Sequence, residues 1–502
     1  MRTSQVFPIL LIPGRLLLRW TFFAIGTVIF GVIAGAGLHL DPRTERDFNF
    51  AMPDTFQISR RSFVKRCGLT AAATGLPLWF VERDLARAAE QNVSPSTSAN
   101  GRPGVALIGC GSQGNSDLNG AAKFANVIAV CDPKENALKA TAARHTKDGK
   151  APATFSDFRR VLERKDVDII VNGTPDHWHS LINIGAARAK KDVYGEKPLT
   201  LTIDEGKHVI QAVRDNKIVF QTGTQQRSDR RFRLACDLVR NGRIGKLQTV
   251  EVFVPAGLRE GPFKTEQTAP PGFNWDLWLG QAPQVGYMKE RAGNTFRWWW
   301  DYAGGPVTDW GAHHNDIARW AIGQDGPLAV EAKATVGPIA GGFTTCKEFE
   351  ATLTYANDIR QIVKTTTADS PFGGIIDPKG QRNGIRFTGT DGWIWVNRGD
   401  LNASKEEIYL TPLPANATKL EVSNNHMGNF FDCVRSRKDP VAHVEQGHRS
   451  AVVGHLIIIA MQLGRKLQWD PAKEVFTGEG AKEANPHLAR EMRKPFDYSF
   501  VA

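Results

Sequence analysis

One stretch limits the fold of this chain more than any other: Val105-Ala106-Leu107-Ile108-Gly109-Cys110-Gly111-Ser112-Gln113-Gly114. An apolar strand runs straight into Gly-x-Gly-x-x-Gly, and a helix follows. Gly109 permits the tight turn, Gly111 lets a pyrophosphate approach the backbone, and Gly114 allows close packing of helix on strand. The next apolar run ends in Asp132, where a carboxylate accepts hydrogen bonds from adenosine ribose hydroxyls and repels a 2′-phosphate. The combination predicts a Rossmann unit that prefers NAD to NADP, with Lys134 the one nearby feature that favours the phosphate. Gly109, Gly111, Ser112, Gln113, Gly114 and Asp132 are the expected contacts to the dinucleotide.

Around this motif the chain divides by pattern. Strand-like runs at 105–108, 127–131, 167–172, 192–194 and 218–221 alternate with helical stretches, the signature of βαβ units and a parallel sheet over 103–223. Beyond Arg227 a helix at 229–241 leads to longer alternating strands at 247–254, 349–355, 360–366 and 392–396. Alternation suits a sheet with one covered face, so 224–470 reads as an α/β domain with a large, mainly antiparallel open sheet. Helices at 425–434 and 447–467 are expected to pack back on the molecule, and 471–502 reads as a C-terminal tail. An open sheet face would suit a homo-oligomer.

Bulk properties exclude several classes. At 502 residues, 41% hydrophobic and 23% charged, the chain is long enough for two or three folding units of ordinary globular composition. The net charge of +11 is spread along the sequence, with no basic run interleaved with aromatics, so no nucleic-acid groove is expected. Six cysteines occur without a CxxC pair and read as small buried hydrophobes.

The N-terminal region carries an address. Ser59-Arg60-Arg61-Ser62-Phe63-Val64-Lys65 precedes a moderately apolar stretch at 67–80 and then Ala86-Arg87-Ala88. Charged region, apolar region and small-residue cleavage site occur in the order of an export signal. The segment 52–88 resembles a twin-arginine signal peptide, with cleavage expected after Ala88 and a linker at 89–102. The expected location is the periplasm, reached through the twin-arginine export machinery. Farther upstream, 21–38 is an uncharged apolar run of bilayer length behind Arg2, Arg15 and Arg19. Because a twin-arginine signal lies close to its initiator, Met52 reads as the start and 1–51 as an extension. With Met1 as the start, 21–38 would attach the protein to a membrane.

Three further motifs follow the glycine turn: Asn172-Gly173-Thr174-Pro175 with His179 beyond it, Tyr194-Gly195-Glu196-Lys197-Pro198, and Gln225 with Arg227. Together they resemble the Gfo/Idh/MocA oxidoreductases, the glucose-fructose oxidoreductase and inositol dehydrogenase family, over roughly 103–467. The resemblance implies a Rossmann domain followed by an antiparallel α/β domain with the nicotinamide between them. It also implies that Thr174, Pro175, His179, Glu196, Lys197 and Gln225 face the nucleotide. His177 reads as part of a helix N-terminal turn.

Oxidising a secondary alcohol needs a base that takes the hydroxyl proton as hydride leaves the same carbon. Lys197 is the candidate the family implies, with Glu196 to hold or orient it. In Gly304-Gly305-Pro306-Val307-Thr308-Asp309-Trp310-Gly311-Ala312-His313-His314 a helix is expected to begin near Pro306. Asp309 and His313, four apart, share one face of it, where the carboxylate can fix the imidazole tautomer. This resembles the family's Asp-x-x-x-His element, which completes a Lys, Asp, His site, although Pro306 stands where a third glycine is common. Both Lys197 and His313 stay open as the base. Asp309 and His313 could start a metal site, but no third donor lies at ligand spacing, so none is expected. A crowd of aromatics around the glycine pair suits a carbohydrate cleft, and Arg227, Trp298, Tyr302 and His314 are the candidate substrate contacts.

The expected activity is hydride transfer between a sugar or polyol and a nicotinamide cofactor that an exported protein would keep tightly bound. Two alternatives use the same motifs. One is an NAD-dependent glycoside hydrolase or lyase that passes through a keto-sugar without net redox. The other is a non-catalytic NAD-binding protein.

Overall fold

The computed structural model describes residues 60–91, 101–266, 268–366 and 382–501. The apolar run 21–38, Met52 and residues 92–100 of the linker lie outside these. The chain divides into Met1–Phe63 and Val64–Ala502, and the architecture that follows is that of the second unit.

Six parallel strands form the first sheet: β1 (Gly104–Ile108), β2 (Asn126–Cys131), β3 (Ala153–Phe155), β4 (Ile169–Asn172), β5 (Asp192–Gly195) and β6 (Phe220–Thr222). Their order is β3-β2-β1-β4-β5-β6, the doubly wound Rossmann arrangement. Every residue of β1, β4 and β5 is buried, as expected of central strands covered by helices on both faces. The strand order reverses between β1 and β4, which opens a crevice at the carboxyl ends of the strands where such sheets bind ligands. The sequence pattern missed β3, a three-residue edge strand too short to carry a period.

The second sheet has nine strands: β7 (Leu247–Val254), β8 (Ala329–Val336), β9 (Glu348–Thr354), β10 (Arg360–Thr365), β11 (Gly384–Gly389), β12 (Trp393–Val396), β13 (Leu401–Ala403), β14 (Leu467–Asp470) and β15 (Val475–Thr477). Their order is β13-β12-β11-β7-β10-β9-β8-β14-β15. The β7–β10 pair is parallel and the other neighbours are antiparallel, so the sheet is mixed and mostly antiparallel. Along β9, Phe349, Ala351 and Leu353 point inward and are buried. The helix Asp309–Ile322 is tied to the sheet by Gln361 Nε2 donating to Asn315 Oδ1 at 2.9 Å and by His314 bonding Asn383 Oδ1 at 3.0 Å.

The late helices return to the Rossmann domain. Phe430, Phe431 and Cys433 of helix His426–Ser436 share a core cluster with Val105, Leu107 and Leu118, and Arg437 clamps Asp192 at 2.7 Å. Helix Val444–Leu463 places Val444 and Ala451 in the other Rossmann cluster and ends at Gly464, so 467 belongs to β14 rather than to the helix. The stretch 471–502, expected as a tail, supplies β15 and buries Phe496 and Val501 in the Rossmann core.

The region expected as a leader is helical, Arg60–Thr74 and Leu78–Gln91. Within the second unit it packs tightly. Cys67, Leu76, Phe80 and Val81 are buried, and Trp79 Nε1 donates to the Tyr409 carbonyl at 3.0 Å. The Asp84 side chain is fully buried between Arg230, Arg233 and Asn424. Cleavage after Ala88 would remove Asp84 and leave Arg233 buried without its counter-charge. Breaking such a pair from one side costs about 3–5 kcal/mol. Asp84→Ala in the full chain is therefore expected to lower the thermal midpoint, measured by calorimetry, and an unchanged midpoint would contradict the pairing.

Candidate active site

At the end of β1 the chain turns at Gly109 with φ +94°. A side chain at Gly109 would overlap the Gly173 backbone, and one at Gly114 would overlap the Gly109 carbonyl. These two glycines let β1, β4 and helix Ser112–Ala121 meet. At Gly111 the added atom would instead meet open space in the cleft, the room a dinucleotide's phosphates would fill at this helix N-terminus. Asp132, at the tip of β2, accepts the backbone N–H groups of Cys110 and Lys134, both at 2.8 Å. Burial raises its carboxyl above the usual range despite those donors. Cradle, helix N-terminus and carboxylate together fit NAD.

The crevice continues into a cleft of about 1270 Å³ between the Rossmann strands and the second sheet. That exceeds the ~300–1,000 Å³ of a pocket for one small ligand, so a dinucleotide and a small substrate fit together. Gly109, Gly111, Ser112, Gln113, Asp132, Thr174, Pro175, Glu196, Lys197 and Gln225 all line it, and Gly114 packs behind. Glu196 accepts from Gln225 at 2.9 Å and from the backbone N–H of Lys197 at 3.2 Å. Its neighbour Asp117, unnoticed in the sequence, lines the same wall. Burial, then the Glu196 charge, holds the Asp117 carboxyl well above its ordinary range.

At the far end Lys197, Asp309 and His313 come together. Lys197 Nζ donates to Asp309 Oδ1 at 2.7 Å and to the Asp309 carbonyl at 2.9 Å, and Arg297 Nε reaches the same Oδ1 at 3.2 Å. Burial would raise the Asp309 carboxyl, but the Lys197 and Arg297 charges outweigh it and hold it at about 2. The helix starts at Asp309 rather than near Pro306, which lies in a single 3₁₀ turn, Gly305–Val307. Asp309 thus orients Lys197 and not the imidazole: His313 Nδ1 is buried with no hydrogen-bond partner among the described residues. Burial, then the Lys197 and Arg398 charges, keep His313 neutral, well below its usual range. Nor does Glu196 touch the Lys197 ammonium.

Besides Gly114, four expected contacts do not line the cleft. His179 spends both ring nitrogens on backbone carbonyls, Pro198 at 2.6 Å and Thr174 at 2.9 Å, and so braces the two motifs from behind. Arg227 is buried in a two-point pair with Asp316, at 2.6 and 2.8 Å. Tyr302 lies in an aromatic core with Trp278 and Trp299, and His314 bonds Gln226 and Asn383. Trp298 does line the cleft, as do Asp176, Gln226, Arg297, Trp310 and Arg398. Asp176 sits one residue after the Thr-Pro pair, a signal the sequence carried. Arg398 follows an ordinary strand and had none. Among the described residues no three His, Cys, Asp or Glu side chains group as a metal site.

Comparison with known proteins gives the same picture. The model for the oxidoreductase family's NAD-binding Rossmann fold matches residues 104–224, and that for its C-terminal alpha/beta domain matches 259–498. Scyllo-inositol 2-dehydrogenase (NAD(+)) of Bacillus subtilis is 23% identical over 70% of this chain and 91% of its own length. Levoglucosan dehydrogenase of Pseudarthrobacter phenanthrenivorans is 36% identical over 24% of this chain and 30% of its own. Other matched relatives are spanned over 42–65% of their lengths. A levoglucosan dehydrogenase solved with NADH and L-sorbose superposes with a TM-score of 0.54, at 20% identity, over 73% of this chain and 98% of that one.

Gly111 offers a direct test, because its backbone, φ −72° and ψ −178°, accepts any residue. Gly111→Val is expected to fold normally yet weaken NADH binding roughly tenfold or more, about 1.4 kcal/mol, read by nucleotide fluorescence titration.

Proposed function

This chain is an NAD-binding oxidoreductase of the Gfo/Idh/MocA family, and we propose that its cleft transfers hydride between the nicotinamide and a secondary alcohol of a sugar or polyol. The observation that carries this reading is the Lys197–Asp309 pair, 2.7 Å apart beside a neutral His313 at the inner end of the cleft. The relatives that act on inositols and levoglucosan support the substrate class.

Bound NAD supplies the hydride acceptor. The chain's own residues manage the proton and the developing charge. Asp309 holds Lys197 Nζ in place through its carboxylate and its carbonyl, where the side chain can stabilise a substrate alkoxide. Lys197 and His313 are the two candidate bases for the hydroxyl proton; the burial and the Lys197 and Arg398 charges that hold His313 neutral also make it a weaker base. Trp298 and Trp310 offer apolar faces to the C–H side of a sugar ring.

Lys197→Met is expected to slow turnover about 10²–10⁴-fold while the NADH dissociation constant stays within a few-fold. A carbohydrate panel read by NADH absorbance and by mass spectrometry identifies the substrate. Product without net NADH would move the assignment to a closed redox cycle, and unaltered activity in Lys197→Met would contradict the site.

Export through the twin-arginine system is part of the same proposal, supported by the Arg60-Arg61 signal pattern and by the exposed apolar side chains of Val64, Leu69 and Leu78. Such systems carry folded proteins, so the cofactor would leave the cytoplasm bound. Denatured periplasmic protein is then expected to release nearly one nucleotide per chain. A preparation that loses all nucleotide on dialysis would contradict retention.

A further inference from the structure

The wall of the cleft next to Lys197 holds two acids that meet around one amide. Gln113 and Asp117 lie one turn apart on helix Ser112–Ala121, and Glu196 directly follows β5. Gln113 Nε2 donates to Asp117 Oδ1 at 3.0 Å and reaches Glu196 Oε1 at 3.4 Å. Gln225 Nε2 donates to the same Glu196 oxygen at 2.9 Å and to the Tyr194 hydroxyl at 3.2 Å. A side chain at Gly223 would overlap the Glu196 carboxyl, so the backbone there leaves that group no room to retreat. Both acids are buried and both line the cleft. Asp117 Oδ2 is buried with no hydrogen-bond partner among the described residues.

Two ionised carboxylates placed in this way have lost their water and repel each other. One shared proton removes the repulsion and turns one of the acids into a donor. Burial raises both carboxyls, and the Glu196 charge raises Asp117 further. Lys197, next in the sequence, pulls Glu196 the other way, so the proton is weighted toward Asp117. Tyr194 also faces the pair, and burial together with the two acids pushes its hydroxyl far up, which leaves it neutral.

A dinucleotide with its phosphates at Gly111 and its reacting ring beside Lys197 crosses this wall. The oxidised ring carries a positive charge and the reduced ring carries none, so the two forms meet the acids differently. We propose that Asp117 is a positioning residue for the cofactor: it shares one proton with Glu196 while the ring is reduced and releases it to cleft water when the ring is oxidised. The pair thereby sets the relative affinity for NAD+ and NADH. Raising the pH removes the proton, makes the wall more negative and favours NAD+. The inference needs a nicotinamide in the cleft and no particular substrate, so it stands or falls separately from the sugar reading.

The test equilibrates the full chain, with no sugar present, against mixtures of NAD+ and NADH and reads the bound ratio by chromatography. From about pH 6 to about pH 9 the preference for NAD+ is expected to rise at least about fivefold, within the roughly tenfold per pH unit that one fully linked proton allows. In Asp117→Asn the rise should be lost, because Glu196 beside Lys197 then stays ionised, with the thermal midpoint reporting that the variant is folded. Infrared difference spectra of the wild-type complexes are expected to show a protonated-carboxyl band with NADH that is absent with NAD+. A flat wild-type ratio or a missing band overturns the proposal. So does a rise that persists in Asp117→Asn, which would assign the linkage to another carboxyl of the cleft, such as Asp176.

Discussion

A single ion pair joins the two halves of this enzyme at the place where its chemistry must occur. Lys197 follows β5 of the Rossmann sheet, and Asp309 opens the helix that lies on the second sheet. They are separated by 112 positions in the sequence and by 2.7 Å in space. The ammonium also takes the Asp309 carbonyl, so backbone and side chain of the helix start are held together. With the two side chains 12% and 20% exposed, removing Asp309 leaves a poorly solvated Lys197 without its carboxylate, and removing Lys197 leaves Asp309 to Arg297. The position of the cleft floor, and so of anything resting on it, depends on this contact.

The two ends of the cleft are built by different means. At the cofactor end the backbone does the recognising: tight glycine packing, a helix N-terminus and a strand-tip carboxylate that accepts two N–H groups. At the substrate end side chains do it, and burial and neighbouring charges together set their charge states. Asp309 is held ionised at about 2 by the Lys197 and Arg297 charges and His313 is held neutral, one turn of helix apart. Burial also raises the Asp117 carboxyl well above its ordinary range and the Asp176 carboxyl to about 7.

The Rossmann half was legible in the sequence because its determinants are local: glycines fixed by close approach, and central strands that read as unbroken apolar runs. Strands β8 and β11 of the second sheet went unread because their faces are largely half-exposed or short, and β3 because three residues hold no period. At the site the structure brings together Lys197, Asp309 and His313, the three that the sequence grouped, but helical spacing pairs Asp309 with His313 and not with Lys197. Spacing places Asp309 and His313 on one face and says nothing of a lysine arriving from another domain. Tyr302, Arg227, His179 and His314 were expected at the ligand and serve the interior instead. Each has its polar atoms engaged by the protein: a guanidinium pair, two carbonyls, an amide network, and for Tyr302 the Arg291 side chain at 3.0 Å. The aromatic crowd is in large part a core, with Trp275 and Trp278 stacked at 4.7 Å.

The claim that Lys197 and Asp309 act as one unit is tested most directly by a double-mutant cycle on the single-turnover rate of hydride transfer, comparing Lys197→Met, Asp309→Asn and the double variant. A coupled pair gives a double variant no slower than the slower single one, because the second substitution removes an interaction already lost. Rate losses that multiply would mean that the two groups work independently and that the ion pair is not what organises the site.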